Sequence, residues 1–579
     1  MRNHKGLFFA LITAITVVLS PNVSQAVDFN DLNKLSPQPA GSKRMIFSDI
    51  LNGPGIVTSI MGTGYGDQFV SCKGLREGAC AKASEVFSHV IVPPCNDSSK
   101  DSDVCIKDLT FINSAGSSEK AKLLYELDTR KFVADPTAKT PAGGGISVWQ
   151  GNPENNSAGA NTFGVRIGIT YRIDYSSNSY SPGISRTDGF KAEIIPVTFK
   201  SGSQYIAMGE FEKLSNNDCA WTELGKCAVR QEFGKANPIS ITFQMDNRIS
   251  GWLSGRMMDT SVGSKKLSAT TNLLTVTGSP IDEPTGYADL TAVELAQNPD
   301  ASKEFGLSNW AARPQGDRLN WQWGPYYRDI SVLAANMNQD QFKVFYKEFR
   351  EKYVNFGYAK VFQKYLKSYP IRNSKWVLEG LTPANFREEN WPGCFEDTLR
   401  ISGIVTTNAM LYDSSPPRFE DGSIVYDVAG AHEGYDGKVF KGSYDLALSS
   451  EFARCLYKFS SAPIKASISV TSSTGEVQNI ATELVNEKNG WLTLSAKNFT
   501  FSAPSIKIKL SQDSPTANSV AIKEDKQPVS VAEVKVVKQP EAVKILKPEA
   551  KKTIICTKGK LIKKVTGTSP KCPSAYQKT

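Results

Sequence analysis

Acid–base chemistry near neutral pH falls most often to histidine, and beyond its N-terminal segment this chain of 579 residues has only His89 and His432. His89 lies in VFSHVIVPPC, an apolar setting that favours a buried or edge-strand histidine. His432 lies in YDVAGAHEGYDGKVF, with Asp427, Glu433 and Asp436 close in sequence. Such a loop could be a small catalytic or cation-binding cluster. The favoured reading is a turn between strands, with Asp436-Gly437 supplying hairpin geometry. No G-x-S-x-G elbow is present, and a serine triad would have to recruit one of these two histidines. No catalytic residue is assigned. A carboxylate pair of the glycosidase kind stays open, because acids are scattered along the chain and their separation in space is not readable from it.

Asp97, Asp101 and Asp103 in NDSSKDSDVC cluster hard oxygen ligands, but they lack the spacing and the distal glutamate of a calcium loop. A solvated loop closed by Cys95 and Cys105 is the favoured reading, and no metal or cofactor is expected. GPGIVTSIMGTGYG is rich in glycine, yet no strand-then-helix context supports phosphate binding. NWQWGPYYRD gathers Trp321, Trp323, Tyr326 and Tyr327. Exposed, these rings could stack on sugars or line a protein interface. Burial against a sheet is favoured, since clustered tryptophans are costly to leave in water. The candidate ligand contacts are therefore these four aromatics with His432, Glu433 and Asp436.

The elements that would position these residues are mostly strands. FGVRIGITYRIDY alternates Phe163, Val165, Ile167, Ile169, Tyr171, Ile173 and Tyr175 with Gly164, Arg166, Gly168, Thr170, Arg172 and Asp174. That period of two predicts a long strand with one wet face. ISITFQMD repeats the pattern. A β-rich domain over 46–285 follows, built of antiparallel sheets in a sandwich. NQDQFKVFYKEFREKYV switches to helical spacing through Phe342, Phe345, Phe349 and Tyr353, with Asn338 as N-cap. It predicts a helical bridge within 286–375. A second β-sandwich domain is expected over 376–512. There Asn489-Gly490 marks a tight hairpin, and Cys394 and Cys455 stand at an immunoglobulin-like spacing. Residues 513–550 are rich in proline, lysine and glutamate with no face to bury, and read as a disordered linker. The fold class is thus mainly β: two antiparallel sandwich-like domains, a helical segment between them, then linker and tail.

Residues 1–26 have the layout of a secretory signal. Arg2 and Lys5 precede an apolar run over 7–19, and Ser24-Gln25-Ala26 offers a cleavage site before the lead 27–45. The apolar run is short beside the ~20 residues a spanning helix needs. Ten cysteines, all beyond residue 26 and none in a C-x-x-C pair, agree with an exported, disulfide-bonded chain rather than a zinc ribbon. Their spacing favours neighbour pairing: Cys72–Cys80, Cys95–Cys105, Cys219–Cys227, Cys394–Cys455 and Cys556–Cys572.

The charge is unevenly placed. The chain is +9 overall; the signal contributes +2 and residues 551–579 contribute +8, leaving −1 on residues 27–550. The tail has eight lysines, no arginine and no acid, and Tyr576 is its sole aromatic. Base stacking and bidentate base readout have little to work with, so nucleic acid is not expected as a partner. Lys551, Lys552, Lys558, Lys560, Lys563, Lys564 and Lys571 would instead bind an anionic envelope polymer or membrane surface by salt-sensitive attraction.

TIICTKGKLIKKVTGTSPKCP resembles a short two-cysteine, lysine-rich tail at the C-termini of uncharacterised exported actinobacterial proteins. GSYDLALSSEFARCLYKFSSAPIKASISV is similar to a β region in members of that group. The resemblance implies an exported bacterial protein whose tail is a reusable module, and it implies no activity. The sequence leads to an expectation of a secreted or cell-surface binding protein, possessing an unknown protein or glycan ligand and held at the envelope by its tail. A secreted hydrolase of glycans or other polymers is the alternative.

Overall fold

The computed structural model describes residues 42–47 and 59–63, nearly all of 69–291 apart from 202–218 and short breaks, and 365–380 with two breaks. It also describes residue 394, most of 400–512, and the strands Lys552–Lys558, Leu561–Gly567 and Gln577–Lys578. These fall in two units, Met1–Asp513 and Ser514–Thr579. The fold is mainly β, with several sheets.

Among the described residues, a 15-stranded sheet forms the centre of the first unit. Its order runs through Trp491–Thr500, Lys441–Ser449, Ile401–Thr407, Gly251–Arg256, Val377–Gly380, Ser185–Ser201, Thr162–Asp174 and Glu85–Ile91. Strands from 46–285 and from 376–512 therefore hydrogen-bond within one sheet. They meet where Val377–Gly380 pairs antiparallel with Ser185–Ser201 and with Gly251–Arg256, and where Gly251–Arg256 pairs with Ile401–Thr407, the one parallel ladder among the described strands.

Alternation along each central strand sends neighbouring side chains to opposite faces. Leu253, Ile404 and Ala447 join one core, with Phe111, Ile241 and Phe243 of the five-stranded sheet. Their neighbours Trp252, Val405 and Leu446 join another, with Tyr426, Ile468 and Ile508 of the six-stranded sheet. The two smaller sheets thus pack on opposite faces of the central one, making three β layers. Ring pairs stitch the layers: Phe111–Phe163 at 4.6 Å and Phe190–Phe243 at 5.9 Å on one side, Tyr426–Tyr444 at 5.3 Å on the other.

The strand Thr162–Asp174 buries six of the seven expected inward residues, from Phe163 to Ile173, whereas Tyr175 falls just past its end and is half-buried. Its expected wet face is wet only at the far end. Thr170, Arg172 and Asp174 are half-buried, whereas Gly164, Arg166 and Gly168 are buried. The cause is not local. The strand pair Cys219–Glu223 and Lys226–Arg230 carries Trp221 over this face, against Ile195, Val197 and Ala228. A Cβ at residue 164 would lie 2.4 Å from the Trp221 ring, which is why glycine stands there. Beside it the face is ionic. Glu193 bonds its cross-strand partner Arg166 and also Arg230, at 2.8 Å, and Lys191 pairs with Glu379 at 2.9 Å. Burial alone would raise the Glu193 pKa, but Arg230, Arg166 and Lys191 together hold its carboxyl well below the usual range.

Asn489 and Gly490, both at positive φ (52° and 80°), close the expected hairpin between Asn486–Lys488 and Trp491–Thr500. The disulfides Cys72–Cys80, Cys95–Cys105 and Cys394–Cys455 are formed. Cys227 is also disulfide-bonded. Cys219 lies on the strand paired with it, opposite Val229. Cys455 lies on the helix Ser450–Tyr457, capped by Ser449, and not on a strand. The long disulfide is therefore not the sheet-to-sheet bridge of an immunoglobulin domain. The expected helical bridge lies outside the described residues over 292–364, and its described margins are strands at Gly286–Thr291, Lys367–Ser368 and Ser374–Lys375. The linker 513–550 also lies outside them.

The second unit has a three-stranded antiparallel sheet, with Lys552–Lys558 between Leu561–Gly567 and Gln577–Lys578. Cys556 is on its central strand; Cys572 lies outside the described residues.

Candidate functional site

The loop around His432 joins the strands Ser423–Ala429 and Lys441–Ser449. Glu433 bridges Val439, the Gly434 N–H donates to Lys438 O at 2.8 Å, and Phe440 N–H donates to His432 O at 2.8 Å. Asp436 accepts from the Lys438 backbone at 3.1 Å and from its Nζ at 2.8 Å, while Gly437 takes a φ of +73°. The arrangement is the expected Asp-Gly turn. His432, Glu433 and Asp436 are exposed. Asp427 is buried and accepts from Arg418 at 2.8 Å, so its carboxylate is committed to an ion pair. Trp321, Trp323, Tyr326 and Tyr327 lie outside the described residues.

The loop meets a polar group that has no sequence motif. Ser368 donates its hydroxyl to Glu433 O. Tyr435 and Asp436 lie within electrostatic reach of Asp282. Arg372 Nε donates to Asp282 Oδ1 at 2.8 Å, and its NH1 donates to Phe233 O at 2.8 Å. Next to Phe233, Glu232 accepts the Ser374 backbone N–H, and Phe233 N–H donates to Ser374 Oγ at 2.6 Å. Four separate parts of the chain therefore converge: Glu232 with Phe233, Asp282, Ser368 with Arg372 and Ser374, and 433–436.

The electrostatics of this group are set first by burial. Burial raises the Glu232 pKa against the hydrogen bonds from Ser374, and the charge of Asp282 raises it further. Burial also raises Asp282, opposed by Arg372 and reinforced by Asp436. The Tyr435 hydroxyl goes up through burial and then through Asp282. Asp436 goes down because Lys438 bonds it. Two carboxyls inclined to keep a proton, one guanidinium and one phenol offer donors and acceptors to a hydroxylated ligand. They also contain the elements of acid–base chemistry.

Behind this group sits a structural ion cluster. Glu283 is fully buried between Lys375 and Arg256. Arg256 also donates to Met410 O at 3.3 Å and lies 4.3 Å from the centre of the Tyr412 ring. The cluster clamps four segments together and fixes the backbone that carries Asp282 and Ser374.

His89 is buried on an interior strand, its Nδ1 3.1 Å from Thr170 Oγ1. The loop holding Asp97, Asp101 and Asp103 is closed by Cys95–Cys105 and docked by Gln244, whose amide donates to Lys100 O and Asp103 O at 2.9 Å. Asp103 caps the Lys100 N–H at 2.8 Å. Among the described residues, no group of three His, Cys, Asp or Glu side chains is placed to hold a metal ion. Among the same residues no helix is long and apolar enough to cross a membrane.

In the tail, Lys552 and Lys558 begin and end one strand, Lys563 and Lys564 lie on the next, and Lys578 is on the third. Lys551, Lys560 and Lys571 lie outside the described residues. The chain matches no protein-family model, no curated protein and no solved structure.

Proposed function

We propose that this chain is an exported binding protein whose basic tail retains it at an anionic cell envelope while the three-layered body engages a ligand. The observation that carries the reading is the division of charge. The body and linker are nearly neutral, at −1, and the +8 of residues 551–579 sits on a separate unit with its own small sheet. Disulfide bonds speak for an oxidising, non-cytoplasmic compartment. The signal-like N-terminus and the resemblance of the tail to exported actinobacterial proteins support export in particular. The test compares envelope retention of the full chain with that of a chain ending at Ala550 across a salt series. Retention should be lost on truncation and weaken with salt for the full chain; equal retention of the two would remove the anchoring role.

A second reading, a secreted hydrolase acting on glycans, is favoured by one observation: the coupled, burial-raised carboxyls of Glu232 and Asp282 beside Arg372 and Tyr435. A glycan array with product detection separates capture from cleavage. Turnover that disappears in Asp282→Asn would replace binding by hydrolysis.

A further inference from the structure

The register of the tail sheet sorts its lysines. Registered partners share a face, and residues two apart along a strand return to it. Cys556 pairs with Lys563 on one side and with Lys578 on the other, while Lys552 pairs with Gly567 and Lys558 with Leu561. Lys552, Lys558, Lys563 and Lys578 therefore fall on one face of the sheet. The opposite face takes Lys564 alone, on a row with Ile555. Charge is thus four to one between the faces of a sheet that contains no acid.

The spacing follows from strand geometry. Lys563 and Lys578 sit across two strand intervals, about 10 Å apart, on either side of Cys556. Lys558 is two residues along from that row, about 7 Å, and Lys552 is four residues the other way, about 13 Å. The register thus brings lysines to separate positions of one face, with no arginine and no aromatic residue in its strands. Lysine ammonium groups bind phosphates as point charges and make no demand on the orientation of the anion. A flexible polymer can bring one phosphate to each of them in turn, which a flat base-stacking ligand cannot do.

We propose that the four-lysine face of the tail sheet is the binding surface, and that its ligand is a phosphate-bearing linear polymer of the envelope. The inference rests on the retention reading above and adds which lysines act and on what chemistry. Its test uses the full chain and two probes, long-chain inorganic polyphosphate and phosphatidylglycerol vesicles. One variant changes Lys552, Lys558, Lys563 and Lys578 to Gln. A charge-matched variant changes Lys551, Lys560, Lys564 and Lys571 to Gln. A third changes the four face lysines to Arg.

The face Gln variant should lose at least about tenfold in affinity for polyphosphate and show a shallower salt dependence, as expected when about four phosphate contacts are removed. The charge-matched variant removes the same charge and should lose clearly less affinity than the face Gln variant. The Arg variant should also bind, which separates lost charge from lost fold. Equal losses in the two Gln variants would overturn the face assignment while leaving tail retention standing. Undiminished retention by the chain ending at Ala550 would overturn the retention reading itself. Tighter capture on vesicles than on polyphosphate would overturn the polymer in favour of the lipid leaflet.

Discussion

Asp445 should act as a buried, pH-dependent brake on stability, and Asp445→Asn should release it. The residue is only 1% exposed, on the strand Lys441–Ser449. Burial pushes its carboxyl up to about 6, against hydrogen bonds from Ser495 Oγ at 2.5 Å and Thr260 N–H at 3.1 Å; Asp259 adds to the rise and Lys497 opposes it. An unfolded aspartate titrates near 3.9. Between these values the folded chain holds a proton that the unfolded chain has released, so stability falls as pH rises through the window from about 4 to 6. About two units at 1.36 kcal/mol each make the full penalty about 3 kcal/mol, complete above about pH 7. Asparagine preserves the shape and does not ionise. Its carbonyl can accept from Thr260, and its amide can donate to Ser495 once that hydroxyl rotates. Urea unfolding with disulfides intact, at pH 4, 5, 6 and 7.5, reads the stability of the variant relative to the native chain. That difference should climb by about 2 kcal/mol from pH 4 to 7.5, since part of the penalty is already present at pH 4. A difference flat in pH would show that Asp445 titrates as an ordinary carboxylate, and would refute the argument from burial.

Glu193→Gln should cost about 3–5 kcal/mol near neutral pH, because it removes the carboxylate that pairs the buried Arg166 and the half-buried Arg230. The folded pKa of Glu193 is depressed, so its contribution is present above about 4.3 and is lost as pH falls well below it. The gap between variant and native chain should therefore narrow in acid, as urea midpoints at pH 3 and 7 would show. Gly164→Ala should cost about 1–3 kcal/mol by driving a methyl into the Trp221 ring, with a lowered Tm and altered tryptophan fluorescence. Replacing both Cys394 and Cys455 by Ser opens a loop of 61 residues and should cost about 4 kcal/mol by chemical denaturation.

Much of the β architecture was legible because its signals are local. The inward row from Phe163 to Ile173, the Asn489-Gly490 turn and the Asp436-Gly437 turn each follow from a few consecutive residues and their backbone preferences. The small disulfide loops were readable for the same reason, since eight or ten residues leave a cysteine few other partners. The helix carrying Cys455 was missed inside a β region. Its signals were Ser449 as N-cap and Glu451 in the first turn, over only eight residues. The polar group beside the His432 loop was not legible at all. Glu232, Asp282, Arg372 and Tyr435 are separated by tens of residues, and no motif connects them.

The sequence by itself determined the strand periods, the turns, the cysteine supply and the location of net charge, all of which depend on neighbouring residues or on simple counting. Only the tertiary structure decided what covers each strand's second face. Arg166 looked like a solvated residue on a wet face, and became buried because Trp221 and Glu193 arrived from other strands. It also decided that Gly251–Arg256 and Ile401–Thr407 lie side by side, and that Asp282 meets Arg372 near Tyr435. Alternation tells a strand which of its side chains share a face, but sheet order sets what that face meets, and sheet order is fixed by contacts between residues far apart in the chain.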